Sequence, residues 1–283
     1  MQKGINYWSF PGGVDGSLDL VAAAQAAKRL GYEGIEVCLF ESGRLAIGMD
    51  ERDVLQARKA LDATGIQVSS VVTELMWKYP LTADNPEVRE KGKWVVKQML
   101  RIAKGLGATG ILVIPGAVES AFLAEPEVVP YELAMARAED AVRELATEAE
   151  QCEVALGIEN VWNKMLLSPL EAREFVDRIG SEYVGWFFDI GNVLLTGFPE
   201  QWVTILGKRI KKVHAKDFRK SIGTLDGFVD LLEGDVNWPS VMSALREVGY
   251  NDFIIAEMVP QYHYAPEARA AHTSRALDSI LAM

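Results

Sequence analysis

Short apolar runs alternate with longer amphipathic stretches along the whole chain, which predicts repeated βα units around a parallel sheet. The strand-like runs fall at residues 4–8, 34–40, 67–73, 110–115, 155–161, 184–189, 210–215 and 253–257. Several are apolar at nearly every position, the pattern of strands covered on both faces. Between them, residues 18–30, 88–106, 133–150 and 241–248 place apolar side chains three to four apart and read as outer helices. Gly31, Gly107 and Gly249 each follow such a helix, where a left-handed C-cap favours glycine. Eight units give a (β/α)8 TIM barrel. No linker or composition break divides residues 1–283, so the chain reads as a single domain.

One connection stands apart. Residues 217–237 run through three glycines before Trp238 and Pro239 open the next helix, and loops of that length inside a compact domain are usually functional or disordered. A second segment, Glu74 to Pro80, gathers Leu75, Met76, Trp77 and Tyr79, which suit a lid or a subunit contact.

Composition narrows the function classes. Hydrophobic residues make up 49% and charged residues 24% of the chain, as in globular proteins with a large core. A formal net charge of -11 argues against nucleic acid as a partner, because affinity for a phosphate backbone comes from clustered Lys and Arg. Neither an apolar leader-like stretch nor a run of membrane-span length is present, so the expectation is a cytoplasmic protein with no membrane partner. The two cysteines, Cys38 and Cys152, do not make a disulfide framework, and Cys38 reads as a buried thiol in the second strand.

In a TIM barrel, reactive side chains project from the C-terminal strand ends, so polar residues that close apolar runs carry the information. Glu159, Asp189, His214 and Glu257 lie at or near the ends of predicted strands five to eight. Adjacent strand ends converge in a closed barrel, and three carboxylates brought together repel one another unless a cation lies among them. Three oxygen donors and an imidazole suit Mn²⁺, Mg²⁺ or Co²⁺ rather than a thiolate-seeking metal. A single acid at a strand end is more often a cap or an ion-pair partner, and Glu36 inside strand two reads as such a buried partner. Asp140 reads as a solvated helix residue and His272 as a surface one.

The segments Ile158-Glu159-Asn160, Phe188-Asp189-Ile190-Gly191-Asn192, Val213-His214-Ala215-Lys216-Asp217 and Ala256-Glu257-Met258 resemble the xylose-isomerase-like TIM barrels, in particular the sugar epimerases that include ketose 3-epimerases and L-ribulose-5-phosphate 3-epimerases. The resemblance covers almost the whole barrel. It implies one divalent ion, commonly Mn²⁺, on Glu159, Asp189, His214 and Glu257. It also implies that Glu159 and Glu257 act as acid and base through an enediolate, inverting a carbon beside a ketone or shifting the carbonyl. The expected partner is a small sugar, and relatives of this kind commonly assemble as dimers or tetramers.

Where free-ketose epimerases carry a His three residues after the strand-six Asp and a Glu six after the strand-five Glu, this chain has Asn192 and Met165. The sugar therefore stays open among a ketose, a ketose phosphate and a 3-keto sugar. Asn160, Trp162, Asn163 and Asn192 are candidate contacts to hydroxyls and ring faces, and His263 could reach the mouth from the loop after strand eight. Lys216, Arg219, Lys220 and Gly223 offer a phosphate site, against which stand Asp226, Asp230, Glu233 and Asp235 in the same loop. Two other readings use the same residues: a lyase that expels the aglycone of a keto-sugar glycoside, and a sugar-binding barrel without catalysis. A three-zinc endonuclease of related fold would need more than three histidines.

Overall fold

A computed structural model describes residues 1–283. Eight parallel strands close a barrel: β1 (Gln2–Asn6), β2 (Gly34–Leu39), β3 (Gln67–Thr73), β4 (Gly110–Val113), β5 (Ala155–Glu159), β6 (Val184–Asp189), β7 (Ile210–Ala215) and β8 (Phe253–Ala256), with β8 pairing back onto β1. The outer layer is α1 (Leu20–Arg29), α2 (Glu51–Asp62), α3 (Pro86–Leu106), α4 (Tyr131–Cys152), α5 (Pro169–Ile179), α6 (Pro199–Leu206), α7 (Trp238–Glu247) and α8 (Ala268–Leu281). Observed strands stop one or two residues short of the expected ends at β2, β4, β5 and β8, because the chain there turns outward into the mouth loops. Residues Tyr7–Ser9 likewise form a 3₁₀ turn rather than the end of β1.

Local chemistry accounts for the helix limits. Asp19 accepts hydrogen bonds from the Val21 and Ala22 amides at the start of α1, while Asn85 and Ser168 cap α3 and α5 just ahead of a proline at the first helical position. Gly31, Gly107 and Gly249 adopt φ of 85°, 76° and 78°, the left-handed conformation expected of them. On α4, Ala134, Ala138, Ala141, Leu145 and Ala149 form the buried stripe, and Asp140 faces solvent. Both cysteines are free and buried.

Glycines and large rings alternate inside the barrel. A Cβ on Gly34 would lie 2.4 Å from the Phe253 ring, and one on Gly157 would lie 3.0 Å from Phe187 Cβ. Below them Lys212 is 2% exposed, its ammonium bonded to Asp252 Oδ2 at 2.6 Å and Thr109 Oγ1 at 2.8 Å. Side chains therefore seal the N-terminal end, and polar groups collect in the layer above.

The long connection after β7 is ordered. Asp217–Phe218 and Phe228–Val229 pair antiparallel, with a 3₁₀ turn at Leu225–Gly227 between them. Its organiser is the fully buried Asp217. Oδ1 accepts from the Phe218 and Val236 amides at 2.9 and 3.2 Å, and Oδ2 from the Leu232 amide and the Trp238 indole, both at 3.0 Å. Gly234 is required beside it, since a Cβ there would stand 2.0 Å from Asp217 Oδ1.

Asp217→Ala leaves these donors buried without an acceptor. It should lower the unfolding free energy by about 3 kcal/mol or more, measured by urea denaturation, with Asp217→Asn falling between the two.

Candidate metal centre and its cavity

Strand register assembles the polar layer. Asn6 stands opposite Glu36, and Glu36 opposite Ser70, where a register shift interrupts the β2–β3 ladder. Asp189 stands opposite His214 across β6 and β7. Glu159 is the last residue of β5, and Glu257 follows β8 directly. One donor atom from each of Glu159, Asp189, His214 and Glu257 lies within 4.8 Å of the others.

Glu36, read from the sequence as an ordinary buried partner, is the support of this group. Its carboxylate accepts from Asn6 Nδ2 at 2.9 Å and Ser70 Oγ at 3.0 Å, and its two oxygens lie 2.8 and 3.0 Å from His214 Nε2. A proton on Nε2 is thereby fixed toward Glu36, and Nδ1 turns toward the three acids. Nδ1 is 3.0 Å from Glu257 Oε2 and 3.9 Å from Asp189 Oδ2. The sequence signal for Glu36 was an acid within an apolar strand; its facing toward the barrel axis becomes visible only with the register.

Lys216 is the counter-charge within the protein, its Nζ 2.8 Å from Glu257 Oε2 and 3.1 Å from Asp189 Oδ2. Burial opposes ionisation of every group here, and neighbours decide the outcome. Burial raises Glu159 to about 8, against the pull of Lys216 and with the push of Glu257 and Asp189. Asp189 is raised by burial as well. Glu257 resists burial because Lys216 and His214 hold it well below the carboxylate range. For His214, burial is outweighed by the carboxylates of Glu36 and Glu257, which hold the imidazole well above the ordinary histidine range.

A divalent cation fits these residues. Asp189 Oδ2 and His214 Nδ1 are fully buried and held only by their ion-pair contacts to Lys216 and Glu257, and three carboxylates with one imidazole are the donor set of a hard or borderline ion. Above them opens a cavity of about 710 Å³, lined at its base by Glu159, Asn192, Lys216 and Glu257. Asp189 and His214 lie beneath it, fully buried.

The other sequence candidates hold different positions. Asn160 gives Nδ2 to the Asp189 carbonyl at 2.7 Å and accepts from the Asp189 amide and the Trp186 indole. Asn163 bonds the Gly116 carbonyl and the Met165 amide. Trp162 donates to the Asn192 carbonyl at 2.9 Å and packs against Phe218 and Phe228. These three back the cavity wall and are not among the residues lining it. Arg219 turns to Glu233, and His263 is exposed against Tyr264; neither lines the cavity. Asn192 does line it, giving Nδ2 to Glu159 Oε1 at 3.3 Å and to the Asn160 carbonyl at 3.0 Å.

Two measurements follow. Glu36→Gln keeps the shape but not the charge behind His214, so calorimetry should show metal affinity reduced about 10–100-fold; wild-type affinity would make Glu36 a packing residue only. In chelator, the protonated Glu159 contributes stability that is fully present below its usual 4.5 and is lost as pH rises to about 8. Glu159→Gln should therefore raise the melting temperature relative to wild type more at pH 8.5 than at pH 5.

A xylose isomerase-like TIM barrel family model matches residues 24–280. Among curated proteins, L-ribulose-5-phosphate 3-epimerase UlaE of Salmonella paratyphi C (strain RKS4594) is 24% identical over 259 residues, covering 90% of this chain and 87% of that one. Among solved structures, D-psicose 3-epimerase from Clostridium cellulolyticum H10 with D-tagatose aligns with a TM-score of 0.79 at 16% identity, over 99% of both chains. The 3-keto-D-glucoside 4-epimerase YcjR of E. coli gives a TM-score of 0.77 at 15% identity, over 100% of both. These relatives are carbohydrate epimerases, and at such identities the structural likenesses speak for the fold. No helix of the chain is long and apolar enough to cross a membrane. By the extent of the family match and the closed eight-stranded barrel, the chain belongs to the xylose isomerase-like TIM barrel family.

Proposed function

We propose that the chain is a divalent-metal-dependent epimerase of a keto sugar, with Glu159 and Glu257 as the acid and base. The observation that carries this reading is the convergence of two glutamates, an aspartate and a histidine within 4.8 Å at the base of a cavity large enough to admit a sugar. The names of the relatives agree with it: L-ribulose-5-phosphate, psicose and 3-keto-glucoside epimerases all invert a carbon of a sugar.

Glu159, Asp189, His214 and Glu257 would hold the ion, for which Mn²⁺ is our assignment. When bound, it supplies positive charge against the negative charge that develops on a carbonyl oxygen as the neighbouring C–H bond breaks. Everything else falls to the side chains. Epimerisation removes a proton from one face of a carbon and returns one to the other, which calls for two proton-carrying groups that do not belong to the same strand. Glu159 on β5 and Glu257 after β8 meet that condition. Asn192 Nδ2, 3.3 Å from Glu159 Oε1, restrains that carboxyl, while Lys216 restrains Glu257. Glu36 and His214 keep the base of the site rigid.

Solvent deuterium exchange tests the assignment. With Mn²⁺ and a ketose panel in deuterated water, Glu159→Gln and Glu257→Gln should each lose at least about a hundredfold in turnover. Asp189→Ala should chiefly lose metal, read by elemental analysis. Wild-type deuterium incorporation in both glutamate variants would remove them from the chemistry. Failure of the purified protein to bind Mn²⁺, or to be stabilised thermally by it, would sink the metal-dependent reading as a whole.

A further inference from the structure

The outer half of the cavity does not resemble a phosphate site. Only two cations line it, and both are committed within the protein. Lys216 lies between Asp189 and Glu257. Arg269, 7% exposed, bonds Asp230 Oδ1 at 2.7 Å and the Pro260 carbonyl. Glu74 and Asp226 add two more carboxylates to the same lining, with no further cation beside them to favour a dianion. Arg219, Lys220 and Gly223, the remaining members of the expected anion loop, are absent from the lining.

Flat apolar surface occupies the wall instead. Trp77 and Phe122 pack together at 46° with ring centroids 5.1 Å apart. Phe228 is fixed from behind by Phe218 and Trp162, at 5.0 and 5.3 Å. Phe122 and Leu225 line the cavity and remain 44% and 40% exposed, leaving apolar area whose burial by a ligand would be favourable. Trp8 is also on the lining, and its indole N–H is buried without an acceptor in the protein. The volume of about 710 Å³ falls in the range of pockets for drug-sized ligands, roughly 300–1,000 Å³. That is more room than a single ketose fills.

We infer that the outer cavity, walled by Trp8, Trp77, Phe122, Leu225 and Phe228, is a subsite for a flat apolar substituent, and that the substrate is an uncharged keto sugar carrying such a group as its aglycone. This rests on the proposed epimerase reading and extends it to the substrate class. The sugar would sit over the carboxylates and the aglycone against the rings, where aromatic faces gain both area burial and stacking. A terminal phosphate would find no free cation there.

Calorimetry on the full chain with Mn²⁺ tests the subsite apart from the chemistry. Ligands are 4-nitrophenyl and methyl 3-keto-β-D-glucoside, L-ribulose and L-ribulose 5-phosphate. The aryl glycoside should bind at least about tenfold more tightly than the methyl glycoside, and L-ribulose 5-phosphate no more tightly than L-ribulose. Phe122→Ala and Trp77→Ala, each checked for folding by circular dichroism, should shrink the aryl-over-methyl preference several-fold. Equal affinity for the two glycosides, a preference kept in full by both variants, or tighter binding of the phosphorylated ketose would each overturn the inference. Deuterium exchange with the same compounds reports separately on the epimerase reading: its absence alongside a kept aryl preference defeats the chemistry and leaves the subsite standing.

Discussion

The structure depends on how four buried carboxylates are kept from driving one another apart. Glu36, Glu159, Asp189 and Glu257 crowd around one imidazole and one ammonium at the barrel mouth, where water is too scarce to screen them. Hydrogen bonds from Asn6 and Ser70 stabilise Glu36, Lys216 stabilises Glu257 and Asp189, and Glu159 stays reluctant to ionise. A divalent cation would complete this balance. The same repulsion that would destabilise an empty cluster of acids is what gives such a site its affinity for an ion.

Positions around the cluster follow from that requirement. His214 can offer Nδ1 upward only because Glu36 claims Nε2 from below, and Glu36 reaches it only because β1, β2 and β3 place Asn6, Glu36 and Ser70 in one layer. Asp217, one residue beyond Lys216, spends both oxygens on the loop that carries Phe228. Lys216 and the Leu225 and Phe228 part of the apolar wall thus descend from one segment after β7, which ties the charge of the site to the shape of its cavity.

Much of this was legible before any coordinates. Apolar runs bounded by glycine gave the eight units, and acids closing those runs pointed to Glu159, Asp189 and Glu257, since strand ends in a barrel share one face. What the sequence could not show was direction. Asn160, Asn163 and Trp162 have the chemistry of sugar ligands, yet backbone groups of neighbouring loops claim their polar atoms. Lys216 and Arg219 read as phosphate ligands because charge is visible in a sequence and its partners are not. Glu36 was passed over for the opposite reason: one acid in an apolar strand has no stated facing until the pairing register supplies it. Trp77 and Phe122, 45 residues apart in sequence, become neighbours only through closure of the barrel mouth.

The seal of Lys212, Phe187 and Phe253 across the barrel floor has a kinetic meaning. A barrel closed below has one doorway, so whatever enters over the mouth loops must leave the same way. Substrate and product then compete for a single passage, and the rims that recognise the one also retain the other. Opening of the mouth to release what is bound then becomes a step distinct from any chemistry at its base.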